Sequence, residues 1–146
     1  MDTQESRVCK HKFNCEKEYI ECILTYIARI SEQDGFSPRQ INDILTATRE
    51  ALVNIKNHAY EGKTNKPVQL NCYRYKQKIE IEIRDYGKQF LKTVTDRSPI
   101  EDIAQTGLGI YVMEKSMDAV SFSSSTQSGT LLKMTKFLSK RKSGRV

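Results

Sequence analysis

Arg49-Glu50-Ala51-Leu52-Val53-Asn54-Ile55-Lys56-Asn57-His58-Ala59-Tyr60 is the stretch on which the reading of this chain turns. At about 100° per residue, Glu50, Asn54, Asn57 and His58 share one face of a helix. Ile41, Ile44, Leu45, Leu52, Ile55 and Ala59 fall opposite, with Thr48 the polar exception among them. One side is built for a core. The other carries a carboxylate, amides and an imidazole where an ordinary surface helix carries Lys and Glu. Short amides are poor helix formers, so their grouping points to chemistry. A carboxylate can take a proton, and an amide oxygen can bind a hard cation.

Working outward, Ser37-Pro38 supplies a cap and a first-turn proline, so this helix is expected from there to about Ala59. Before it, residues 6 to 13 alternate enough for a short strand, and Asn14 suits an N-cap. Ile20, Ile23, Leu24, Ile27 and Ile30 mark a first helix ending near Gly35. After it, Glu61 to Pro67 reads as a turn-rich break. Val68 to Tyr75 and Lys78 to Arg84 read as strands joined by a hairpin at Lys76-Gln77. In the second, Ile79, Ile81 and Ile83 alternate with Glu80, Glu82 and Arg84. Gly87 to Thr106 has little periodicity, as a functional loop would. Leu108 to Met117 is a short helix, and Ala119 to Ser124 with Thr130 to Leu138 a last hairpin. The order predicts an α+β protein, a two-layer α/β sandwich with one mixed, mostly antiparallel sheet and helices on a single face.

A chain of 146 residues with 38% apolar content fits one domain, here residues 1–138, followed by a basic tail, 139–146. No apolar run approaches the roughly 20 residues of a membrane span. Met1 to Lys12 is polar and lacks the apolar centre of a secretory signal, so a cytoplasmic protein with no membrane association is expected. Cys9, Cys15, Cys22 and Cys72 have neither zinc-pair nor staple spacing and read as reduced thiols. The net charge of +6 arises after Asp118, from Lys133, Lys136, Lys140, Arg141, Lys142 and Arg145. A nucleic-acid module would spread such charge over a face with aromatics between, so direct nucleic-acid binding is disfavoured.

Three further features join the Glu50 face. Asp85-Tyr86-Gly87 ends a buried strand, where a carboxylate can read an exocyclic amine and glycine lets a flat ring approach. Thr106-Gly107-Leu108-Gly109 opens a helix whose free N–H groups favour phosphate. Gly129-Thr130 starts the last strand. Each alone is weak: a turn, a small-residue pair, a hydroxyl. As an ordered set they resemble the GHKL ATPase superfamily. Glu50-x-x-x-Asn54 is similar to its N box, Asp85-x-Gly87 to its first glycine box, Gly107-Leu108-Gly109 to its second, and Gly129-Thr130 to its closing Gly-Thr. The wording Glu50 to Tyr60, with Thr106 to Phe122, is similar to bacterial anti-sigma-factor serine/threonine kinases.

That resemblance implies the Bergerat-type ATP-binding fold, ATP and Mg²⁺ as cofactors, and residue roles. Glu50 would be the general base, Asn54 the ligand to Mg²⁺, Asp85 the acceptor of the adenine amine, and Gly87 the room for the base. Thr130 would assist at adenine. Thr106, Gly107, Leu108 and Gly109 would bring the helix start to the phosphates. Lys88 to Gln105 would be the lid, and His58 structural. The partners implied are a sigma factor and a STAS-type anti-anti-sigma protein, with the chain a homodimer. Gln89 stands where the family usually carries the second glycine of its first box. This departure motivates an alternative, a non-catalytic nucleotide-binding interaction module. The ATPase part of a sensor histidine kinase is disfavoured by the short chain and by His58, where those proteins usually have Asn.

Overall fold

The computed structural model describes residues 7–87, 108–124 and 129–139. The expected lid with Gln89, the pair Thr106 and Gly107, and the tail beyond residue 139 lie outside the described residues. The elements are β1 (Arg7–Asn14), α1 (Lys17–Gln33), α2 (Pro38–Asn54) running on as a π turn (Ile55–Ala59), β2 (Pro67–Arg74), β3 (Lys78–Asp85), α3 (Leu108–Ser116), β4 (Ala119–Ser124) and β5 (Thr130–Phe137).

The five strands stand in the order β1-β2-β3-β5-β4. The expected two-layer α+β architecture is present, but each described pairing is antiparallel rather than mixed. The reason is topological. With two helices between β1 and β2 the chain reverses three times, so β2 returns antiparallel to β1. The α3 connection leaves β4 parallel to β3, but β5 inserts between them and separates the parallel pair. On β2 and β3 alternate side chains are buried, Val68, Leu70 and Cys72 beside Ile79, Ile81 and Ile83. The apolar stripes of α1 (Ile20, Ile23, Leu24, Ile27, Ile30) and α2 (Ile44, Ala47, Ala51, Leu52) join them in one core. Burying each such large side chain contributes roughly 1.5–3 kcal/mol.

Local chemistry sets the helix ends. Ser37 Oγ accepts the Gln40 N–H at 3.1 Å, and Gln40 Oε1 accepts the Ser37 N–H at 3.3 Å, a full capping box. Asn14 does not cap α1. It forms the last pair of the β1–β2 ladder, opposite Pro67, and Glu16 takes the cap position. Thr48 sits in the core because its hydroxyl donates to the Ile44 carbonyl at 2.8 Å. Lys136, counted above with the basic excess, is buried. Its Nζ donates to Asp43 at 3.1 Å and to the Ser116 carbonyl at 2.6 Å, tying β5 to α2 and to the end of α3. The four cysteines are free thiols, as expected.

Candidate functional site

The polar face of α2 and the first turn of α3 meet without space for a side chain. A Cβ on Gly109 would stand 2.9 Å from Asn54 Nδ2, 3.2 Å from Glu50 Oε1 and 3.3 Å from Asn54 Oδ1. Real Cβ contacts are rarely so short, so a glycine here lets α3 begin against this carboxylate and amide. Asn54 is 8% exposed, and its Nδ2 is buried without a hydrogen-bond partner. Buried polar atoms are normally paired, and this unpaired donor stands beside the Glu50 carboxylate and Gly109, where it could donate to a ligand oxygen.

Below this junction lies a narrow pocket of about 20 Å³, lined by Ala51, Asn54, Ile83, Asp85, Met113 and Thr130 among others. Its walls are apolar, and one carboxylate lies in its lining. Asp85 is 2% exposed and pairs with Thr130 in the β3–β5 register. Its Oδ1 accepts the Gly87 N–H at 3.0 Å. Burial pushes its carboxyl up to about 6, against the lowering pull of the Gly87 and Thr130 N–H groups and of Arg84. Asp85 is therefore largely ionised at neutral pH and acceptor-only there. Gly87 itself packs on the end of the α2 extension, where a Cβ would run into the Ala59 carbonyl and stand 2.8 Å from a Tyr60 ring carbon. Gly129, at φ +86°, lets β5 start against the Asp85 backbone.

The π turn decides which helix residues reach the site. Tyr60 N–H bonds to the Ile55 carbonyl at 2.9 Å, five residues back, so the helix is locally under-wound. The 100° reckoning fails beyond Asn54. Asn57 is exposed rather than pocket-facing, His58 is half-buried, and Ile55 and Ala59 line the pocket. The turn thus puts Ala59 and Tyr60 under Gly87.

Of the residues singled out in the sequence, Glu50, Asn54 and Gly109 converge at one end and Asp85, Gly87 and Thr130 at the other. Leu108 is 59% exposed, so its side chain does not line the pocket. Thr106 and Gly107 lie outside the described residues. The apolar walls Met113, Phe122 and Leu132 went unread. Their signal was ordinary helix and strand periodicity, which marks burial and not a ligand.

Apolar walls with one buried carboxylate are the chemistry that suits a flat ring bearing an amine, but the space open here, about 20 Å³, is close to that of one water and smaller than a purine. No three His, Cys, Asp or Glu side chains among the described residues cluster as a metal site. A cation at Asn54 would thus draw its other ligands from phosphate and water. The same architecture is shared with known proteins. The family model of the histidine kinase-like ATPase domain matches residues 13–136, and the chain belongs to that family. It is similar to the serine-protein kinase RsbW of Bacillus pumilus, 29% identical over 141 residues covering 90% of this chain and 86% of that one. The RsbW kinase of Halalkalibacterium halodurans is 31% identical over 132 residues, covering 84% and 78%. The anti-sigma F factor of Oceanobacillus iheyensis is 32% identical over 107 residues, covering 70% and 73%. Among solved structures, the RsbU and RsbW domains of a Mycobacterium tuberculosis protein superpose with a TM-score of 0.68 at 13% identity, over 92% of this chain and 33% of that one. The SiaB–SiaC complex of Pseudomonas aeruginosa gives 0.64 at 11% identity, over 93% of each chain. No helix among the described residues is long and apolar enough to cross a membrane.

Proposed function

We propose that this chain is an ATP-dependent serine/threonine protein kinase that also restrains a sigma factor, and that its phosphoacceptor is a STAS-type anti-anti-sigma protein. The observation that supports this best is the convergence of Glu50 and Asn54 on Gly109, set apart from the adenine-type end at Asp85. From Ala59 beside Gly87 back to Glu50 the helix rises roughly 13 Å, so Glu50 and the Gly87 turn lie at separate ends of one groove, with Asn54 and Asp85 lining the pocket between them. Asp85 accepts the exocyclic amine of adenine. Asn54 Oδ1 contributes one ligand to Mg²⁺, whose charge neutralises the phosphates when bound. Glu50 takes the proton from the acceptor hydroxyl as its oxygen attacks the γ-phosphorus. The bond to the β–γ bridging oxygen breaks, and ADP leaves. Positioning and charge neutralisation supply most of the rate, as in phosphoryl transfer generally. The names of the relatives, serine-protein kinase and anti-sigma factor, agree with this assignment.

The test is transfer from radiolabelled ATP to candidate STAS proteins, with Glu50→Ala as control. Labelled product from the wild type and none from the variant supports the reading. Label that does not depend on Glu50 removes it. The second reading, a nucleotide-binding module without transferase activity, is motivated by Gln89 in the first glycine box. It predicts calorimetric binding of ATP with Mg²⁺ and no labelled product.

A further inference from the structure

Tyr60 is 6% exposed, yet its hydroxyl makes two hydrogen bonds. It donates to the Pro67 carbonyl at 2.6 Å and accepts the Tyr86 N–H at 2.8 Å. Tyr86 stands between Asp85 and Gly87, and the Tyr60 ring lies against Gly87. The phenol therefore connects the end of the α2 extension, the first residue of β2 and the turn after β3. A phenylalanine would fill the same space but leave the Tyr86 N–H without its acceptor.

We infer that Tyr60 is a positioning residue for base recognition: its hydroxyl holds the Asp85–Gly87 turn in place and so sets where the Asp85 carboxylate meets an exocyclic amine. The linkage is a continuous path. The Pro67 carbonyl anchors the phenol, the phenol holds the Tyr86 N–H, and the next peptide N–H, that of Gly87, holds Asp85 Oδ1 at 3.0 Å. Loosening the first bond lets the turn and its Gly87 N–H shift, which leaves Asp85 with the Thr130 N–H alone and re-aims the carboxylate in the pocket. Burial, ahead of the opposing hydrogen bond from Tyr86, pushes the phenol up to about 12, so it keeps its proton and its bond to Pro67 throughout the neutral range. The π turn is what brings the residue here.

This inference rests on the adenine reading of the pocket, and the experiment separates the two. Calorimetry with the full chain compares ADP with the purine riboside diphosphate that lacks the 6-amino group, for wild type and Tyr60→Phe. Wild type is expected to prefer ADP by about tenfold or more, and the variant to lose most of that preference while binding the deamino analogue within about twofold of wild type. Equal selectivity in both proteins, or a uniform loss for both ligands, overturns the positioning role. A wild type that binds neither ligand overturns the adenine reading and the inference with it. A wild type that binds both equally removes amine recognition by Asp85. Should Tyr60→Phe fail to fold, difluorotyrosine at position 60 keeps the ring and hydroxyl but weakens the acceptor. Reduced selectivity then supports the role, and unchanged selectivity overturns it.

Discussion

At the Asp85 end of the groove the polar atoms are tied down. The carboxylate holds two backbone N–H groups, and Tyr60 holds the turn from beneath. At the Glu50 end Asn54 Nδ2 is buried without a partner, and a Cβ on the neighbouring Gly109 of α3 would require the Glu50 and Asn54 side chains to shift. One end is finished in the protein alone, as suits recognition of a rigid ring. The other leaves an amide donor open, as would suit a phosphate oxygen that brings its own acceptor. The difference also divides the energetics. Burial of the Asp85 carboxylate carries a stability cost, as does the unpaired amide donor at Asn54.

Substitutions can separate or merge these two ends. The largest effect is expected from Glu50→Gln, which should slow phosphoryl transfer about a thousandfold while nucleotide affinity stays within about threefold. A parallel loss of affinity in calorimetry would mean that the ends are not independent. Asp85→Asn should do the reverse, weakening ADP binding by about a hundredfold. It should leave thermal stability at pH 8 equal or higher, because an ionised carboxylate no longer has to be buried. Gly109→Ala forces Glu50 and Asn54 apart. Transfer should fall about tenfold or more, with a smaller change in affinity, since the misplacement lies at the reacting end.

The pH dependence follows from Asp85, whose folded carboxyl sits near 6 against an ordinary value of 3.8. Between those values the folded state binds more protons than the unfolded one, so this group's contribution to stability falls as pH rises from about 4 to about 6. Nucleotide binding moves the opposite way, weakening by up to about tenfold per pH unit below 6 as the acceptor is protonated. Melting curves and binding isotherms across pH 4.5–8 would show the two trends crossing; parallel trends would contradict this account. The smallest effect belongs to Arg49→Ala. Its ion pair with Glu21 of α1 is half-exposed on both sides, and the unfolding midpoint should stay within measurement error.

Much of this was legible because it is local. Ser37-Pro38 announces a helix start, the Ile79-Ile81-Ile83 alternation announces a half-buried strand, and Glu50 and Asn54 are a single turn apart. What could not be read depends on distant partners. Lys136 looks like a surface charge until Asp43, 93 residues away, neutralises it. Asn14 looks like a cap until β2 pairs with it. The antiparallel sheet follows from where β5 inserts, which no strand's own pattern records. Asn57 and His58 were placed by an ideal helical period that the π turn interrupts.

That turn behaves as a single residue added to an otherwise regular helix. Rewinding it as ordinary α-helix with no residue removed would rotate everything beyond it by about 100°. Ala59 and Tyr60 would swing away from Gly87, while Glu50 and Asn54, upstream, would keep their places. The widened turn in this way sets how the two halves of the groove meet, without involving Glu50 or Asn54.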